Sequence, residues 1–205
     1  GSSEFMSNIS TSFVSMLYNI QLLRLLGENG ISAYGVLMYV QFIFVAVYIG
    51  YAIGCAPITG YHFGARNHNE LKNMLRKSSF LSAVSGVVLT ILAIALSSPL
   101  AKLFVGYDKE LYELTRHAFR LFAYSFLLAG FNIFTSSFFT ALNNGAVSAA
   151  ISFMRTLIFQ TSSVLILPMF LGVDGIWWAI TVAELFAFIL SLIFLFAKRK
   201  KYNYI

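Results

Sequence analysis

The sequence predicts an all-α protein whose helices cross a membrane several times. Of its 205 residues, 59% are hydrophobic and 11% charged, and the mean hydropathy is +0.78. A soluble globular domain carries about 25% charged residues. The apolar residues fall in blocks of roughly 20, the length that spans a bilayer core as helix. Aromatic residues make up 17%, and many Tyr and Trp stand near block ends, where interfacial anchors sit.

The same composition excludes several classes. The single cysteine, Cys55, lies inside an apolar block, so no disulfide or paired-cysteine metal site can form within the chain. The three histidines (His62, His68, His117) stand near loops with no HExxH spacing, and neither a phosphate-binding Walker loop nor a GxSxG elbow is present. No enzyme and no cofactor are expected. The net charge of +6 invites a nucleic-acid reading. Eight of the fourteen basic residues, however, form Lys198-Arg199-Lys200-Lys201 and the cluster from Arg66 to Lys77. Clusters flanking apolar spans point to a lipid bilayer with anionic headgroups, and no nucleic-acid partner is expected.

Six spans are expected in one domain covering 1–205, at about 4–26, 34–61, 78–98, 118–142, 146–170 and 174–197. GENG at 27–30, NNGA at 143–146 and GVDG at 172–175 read as Gly/Asn/Asp turns between antiparallel helices. Residues 64–77 read as a basic connection, and 99–116 as a connection containing a short interfacial helix from near Asp108. Six spans put both termini on one side. Placing them in the cytoplasm sets the eight clustered Lys/Arg inside, against Arg24, Lys102, Lys109 and Arg116 outside or near it. The first span begins almost at residue 1 and has no small-residue cleavage site, so no cleaved signal is expected. The opening GSSEF reads either as native sequence or as a cloning scar before Met6.

At 100° per residue, Glu4, Asn8, Thr11, Ser12, Ser15, Tyr18 and Asn19 share one face of the first span. Phe5, Ile9, Phe13, Met16 and Ile20 take the opposite face. Lipid cannot satisfy such polar groups, so this stripe turns to a cavity, or to interhelical hydrogen bonds. Glu4 is a functional candidate or an interfacial, snorkelling carboxylate. Gln41, Tyr48, Cys55 and Thr59 align on the second span, where Gly50 and Gly54 have the spacing of a close helix contact. Pro57 removes a backbone donor and should kink that helix near its end.

Asn132, Ser136 and Asn143 form a stripe on the fourth span; Ser148, Ser152, Arg155, Phe159 and Ser162 form one on the fifth. On the sixth, Thr181, Glu184 and Ser191 align, which turns Glu184 to the bundle interior. A carboxyl at that depth is protonated or paired, with Arg155 as one candidate partner. A lone buried carboxyl also implies that Glu184→Gln is close to neutral or stabilising.

Four segments together resemble the second half of multidrug and toxin extrusion (MATE) transporters. GENGISAYGVLMYV (27–40) leads into GYAIGCAPITGYHFGARNHNELKNMLRKS (50–78), where the family has a proline, a Gly-Ala-x-Asn turn and a basic amphipathic stretch. Here these are Pro57, Gly64-Ala65-Arg66-Asn67, and Glu70 to Lys77. SSFFTALNNGAVSAAISFMR (136–155) is similar to the family's Ala-Leu-Gly segment, with Asn143 where Gly is usual. LGVDGIWWAITVAE (171–184) carries Glu184 where an acidic or small polar residue often stands.

The resemblance implies one six-helix lobe of a twelve-helix transporter, with GSSEFMSNIS as the start of its seventh helix. It implies the C-terminal half of a Na⁺- or H⁺-coupled multidrug efflux antiporter exporting amphipathic organic cations across the plasma membrane. Glu4, Asn8 and Glu184 would be cation-coupling residues, with Na⁺ held near Glu4 if sodium is the ion. Ser12, Ser15, Tyr18, Asn19 and Gln41 would line the cavity with Tyr48, Asn132, Ser136 and Arg155. Pro57 and Gly64 would form a hinge. The partner would be an N-terminal six-helix lobe, in the same or a separate chain, or a second copy of this chain. The alternatives are a flippase for lipid-linked precursors in the same superfamily, and a non-transporting remnant or assembly partner.

Overall fold

The computed structural model describes the backbone of residues 2–204 and the side chains of residues 9–204; every regular element among them is helical. In order these are α1 (Ser2–Leu26), α2 (Glu28–Gly64), α3 (His68–Val105) and α4 (Lys109–Phe122). A 3-10 turn (Ala123–Ser125) joins α4 to α5 (Phe126–Ala141). A π-helical segment (Met154–Phe159) likewise joins α6 (Gly145–Phe153) to α7 (Gln160–Leu171), and α8 (Val173–Tyr202) closes the chain. Counting α4–α5 and α6–α7 as continuous rods, five helices among the described residues have the length and hydropathy to cross a membrane. α1 has 25 residues, about 37 Å of helix at 1.5 Å per residue.

The connections are shorter than the sequence suggests, because polar residues continue the helices. Between α1 and α2 stands one residue, Gly27, at φ 64 and ψ −149; Gly172 does the same between α7 and α8 at φ 59 and ψ −137. That backbone region is essentially glycine's alone, so each glycine breaks a helix without a longer turn. The expected 64–77 connection shrinks to 65–67, since the Asn67 side chain accepts from the Glu70 N–H and starts α3 at His68. Asp108 caps α4 by accepting from the N–H groups of Glu110 and Leu111, which places that helix where the sequence does.

Pro57 lies inside α2, which continues another seven residues to Gly64. Gly50 and Gly54 make no close helix contact: nothing stands within 4 Å of a Cβ built at either. Close approaches between helices occur instead at Gly86, where an added Cβ would meet the Leu127 carbonyl oxygen at 2.6 Å, and at Gly130, where it would meet the Tyr48 ring at 2.5 Å.

Three non-glycine residues among the described residues turn the chain at positive φ: Arg66 at 54°, Asn143 at 56° and Asn203 at 51°. Asparagine tolerates this conformation, which explains how Asn143 serves where glycine is usual. Arginine does not. Arg66→Gly is therefore expected to stabilise the lobe by about 1 kcal/mol, read as a rise in melting temperature; a fall would show that the Arg66 side chain matters more than its backbone strain.

Apolar packing forms two clusters stacked along the helices. One gathers Leu22, Leu37, Phe119, Phe126 and Trp177; the other gathers Leu71, Phe138, Phe139, Ile151 and Tyr204. Tyr204 reaches its place because Asn203, at φ 51, reverses the chain after α8. Its hydroxyl donates to the Leu195 carbonyl at 3.0 Å, and burial pushes its phenol pKa up.

Candidate functional site

Between the two clusters the interior is polar. On α8, Glu184 lies between Ile180 of one cluster and Leu195 of the other; on α5, Asn132 lies between Phe126 and Phe134. Glu184 is 2% exposed and faces inward, as the α8 stripe predicts. Its carboxylate is paired. Arg155 donates from Nε to both oxygens at 2.9 and 3.0 Å and from Nη2 to Oε1 at 2.7 Å. Asn132 donates from Nδ2 to Oε2 at 2.7 Å and to the Glu184 carbonyl at 3.0 Å, while the Ser191 hydroxyl donates to Asn132 Oδ1 at 3.3 Å.

Three helical segments thus converge on one carboxylate with two-point, charge-assisted geometry. The π-helical segment begins one residue before Arg155, and such segments are frequent at functional sites. Because the pair is formed, the carboxyl is not a lone one, and Glu184→Gln is expected to destabilise by leaving the guanidinium without its counter-charge.

Beside this network lies a cavity of about 170 Å³ between α1, α2, α4, the π-helical segment, α7 and α8. Of the residues expected to line it, Ser15, Tyr18, Gln41 and Arg155 do. Thr11, from the same α1 stripe, joins them. Tyr18 is 4% exposed and stacks on Tyr34 with ring centroids 5.0 Å apart. Where Thr11, Met38 and Gln41 form its edge, the cavity adjoins a groove of about 630 Å³ walled by apolar residues of α2 such as Phe42, Val45 and Ile49.

The remaining candidates fall elsewhere. Tyr48 does not line this cavity; its hydroxyl donates to the Phe126 carbonyl at 2.9 Å, pinning α2 to α5 across Gly130. Ser136 also lies away from it, in a hydroxyl cluster with Ser148 and Ser152 at 2.9 Å each that joins α5 to α6. Asn132 belongs to the ion-pair network rather than the cavity wall. Ser12 is exposed and Asn19 half-buried, and neither lines this cavity. The side chains of Glu4 and Asn8 lie outside the described residues.

The cavity also has walls that the sequence reading passed over, above all Trp177 and Tyr34. Both carried a signal. Trp177 precedes Ile180 and Glu184 at helical spacing, and Tyr34, Met38 and Gln41 share one face of α2.

A bundle of long apolar helices, built round a buried ion pair and a polar cavity, defines a polytopic membrane protein. The chain belongs to the MatE family, whose sequence model matches residues 5–165. Its fold is that of solved MATE structures. An inward-facing MATE family multidrug resistance transporter aligns with TM-score 0.89 and 21% identity over 98% of this chain and 47% of its own. An outward-facing one aligns with TM-score 0.88 and 20% identity over 96% and 44%. The bent form of the Vibrio cholerae transporter VcmN aligns with TM-score 0.87 and 16% identity over 98% and 44%. The chain thus spans about half the length of the structures it matches. A search of curated protein sequences returned no match.

Proposed function

We propose that this chain works as one lobe of a cation-coupled multidrug exporter that moves amphipathic compounds by alternating access. Its partner is a second six-helix lobe, either an N-terminal lobe or a second copy of the chain. The observation that carries the reading is the Glu184–Arg155 pair beside a polar cavity within a membrane lobe. Ionisable groups at such depth are costly, and by default they mark substrate or ion pathways.

In this reading the coupling ion is Na⁺ or H⁺, and Glu4 with Asn8 on α1 receives it. Glu184 has another task, since Arg155 and Asn132 already fill its carboxylate. A cationic group on the substrate and the coupling ion would then compete for Glu4, which is the sign that antiport needs. A flippase for lipid-linked precursors is less well supported, because such precursors call for a strongly cationic cavity and Arg155 is the one basic side chain among the described residues on this wall. Dye efflux from proteoliposomes, with this chain alone or joined to an N-terminal lobe, tests the proposal.

In this reading the lobe sits in the plasma membrane with both termini in the cytoplasm, a topology that the basic residues from Arg66 to Lys77 and the 198–201 run support. A shared side for the two basic clusters is supported by His68, whose Nδ1 lies 3.2 Å from the Tyr202 carbonyl and links the start of α3 to the end of α8. Cysteines introduced at 67–70 should react with a membrane-impermeant maleimide only after the cell is opened, and those at 28–29 in intact cells. The reverse pattern would invert the topology.

A further inference from the structure

We propose that the cavity beside Arg155 is a subsite for an oxyanion, a carboxylate or phosphate, carried by an amphiphilic substrate whose apolar body lies in the adjoining α2 groove. The inference rests on the transport reading and names one end of the substrate. Hydrogen-bond donors carry it. The indole N–H of Trp177 can only donate, yet this residue is 1% exposed and its Nε1 has no acceptor among the described residues. The hydroxyl of Tyr18, 4% exposed, has no partner among them either. Both side chains line the cavity. A buried donor left unmade is destabilising, and two on one small cavity mark a place where an acceptor is missing.

Arg155 adds charge to the same wall. Its Nε and Nη2 are taken by Glu184, while its Nη1 makes no hydrogen bond to the described residues. Among the described residues that line the cavity, none carries a carboxylate. The wall is therefore rich in donors and offers an anion a guanidinium edge, with Glu184 holding the guanidinium in place behind it. Size separates the two ends of the ligand. A cavity of about 170 Å³ takes a compact headgroup, and the adjoining groove of about 630 Å³ takes the apolar body. Thr11, Met38 and Gln41 belong to both, so a single molecule can lie across the boundary.

The test is equilibrium binding to the full chain in lipid nanodiscs, with decanoate, decyl phosphate, decanol and decyltrimethylammonium as probes sharing one tail length. Decanoate or decyl phosphate should bind at least about tenfold more tightly than decanol, as expected for charge-assisted hydrogen bonds; the stronger of the two identifies the oxyanion. The preference should vanish in Trp177→Phe/Tyr18→Phe, which keeps the rings and removes both donors. A second measurement needs no change at Trp177: in Trp178→Phe its indole N–H is the sole tryptophan resonance, and it should shift downfield with the oxyanion probe and stay still with decanol. Equal binding of decanoate, decyl phosphate and decanol, tighter binding of decyltrimethylammonium alone, or an unmoved indole resonance would each overturn the proposal. Binding by the chain alone is independent of efflux by the joined protein, so either reading can fail while the other stands.

Discussion

Arg155→Ala is expected to be the most destabilising single change in the interior, lowering the melting temperature in detergent by on the order of 10 °C. The reason is what it leaves behind. Glu184, 2% exposed, would keep Asn132 as its one side-chain partner and lose three charge-assisted contacts. Removing one member of a buried ion pair typically costs about 3–5 kcal/mol, and each kcal/mol moves the melting temperature of a chain this size by about 2–4 °C. Glu184→Gln should cost less. Glutamine keeps the Asn132 contact, and Arg155, whose side chain is 19% exposed, borders a cavity into which it can turn. Arg155→Met combined with Glu184→Leu should recover most of the loss, because it removes both charges together. A double variant as unstable as the sum of its parts would mean that the two residues stabilise the lobe separately and that the pair is incidental.

The second large effect concerns transport. The chain joined to an N-terminal lobe should drive dye efflux from proteoliposomes, and the chain alone should not. α1 supplies the argument: Thr11 and Ser15 border the cavity, while Ile9, Phe13, Met16 and Ile20 are 50%, 42%, 51% and 53% exposed. Lipid covers that apolar face, but not the exposed Thr11 and Ser12, which need a facing lobe before the cavity has two alternating entrances. A second copy would bring a second Glu4 to the interface, where two carboxylates at close range hold a proton between them more readily than either alone. In the joined protein, Glu4→Gln should abolish ion-driven efflux and leave insertion and folding intact. Efflux by the lone chain at the joined protein's rate would end the half-transporter reading. Coupling that survives Glu4→Gln would return Glu4 to an interfacial role.

The sequence made the fold legible wherever hydrophobicity alone decides structure. Helix existence followed from apolar blocks, and the inward face of α8 followed from Thr181, Glu184 and Ser191. Helix ends were less legible, because residues 68–77 are polar yet helical: Asn67 caps them, and Leu71 and Leu75 bury one face. Pairing at a distance was partly legible. Arg155 could be named as a partner for Glu184 because few ionisable groups lie deep, but its reach depends on the phase of α6–α7. The tie from Tyr48 to α5 was not legible, because its partner, the Phe126 carbonyl, is 78 positions away and is approached across Gly130 of that same helix.

The π-helical segment at Met154–Phe159 has an evolutionary corollary. A turn of this kind holds one residue more than the α-helix needs, so everything beyond it is rotated by about 100°. The burial record carries the imprint: Ser162, which continues the Ser152–Arg155–Phe159 stripe of a regular helix, is exposed, while Ser163 and Val164 are buried. Losing a single residue between 154 and 159 would return α7 to the phase of α6, bringing Ser162 inward and turning Ser163 out. Most transmembrane helices cannot absorb an indel without scrambling their lipid-facing and core-facing sides. This one has a built-in slot for it, and an alignment of relatives that lack the surplus residue has its natural gap within these six positions, next to the arginine that the bundle is built around.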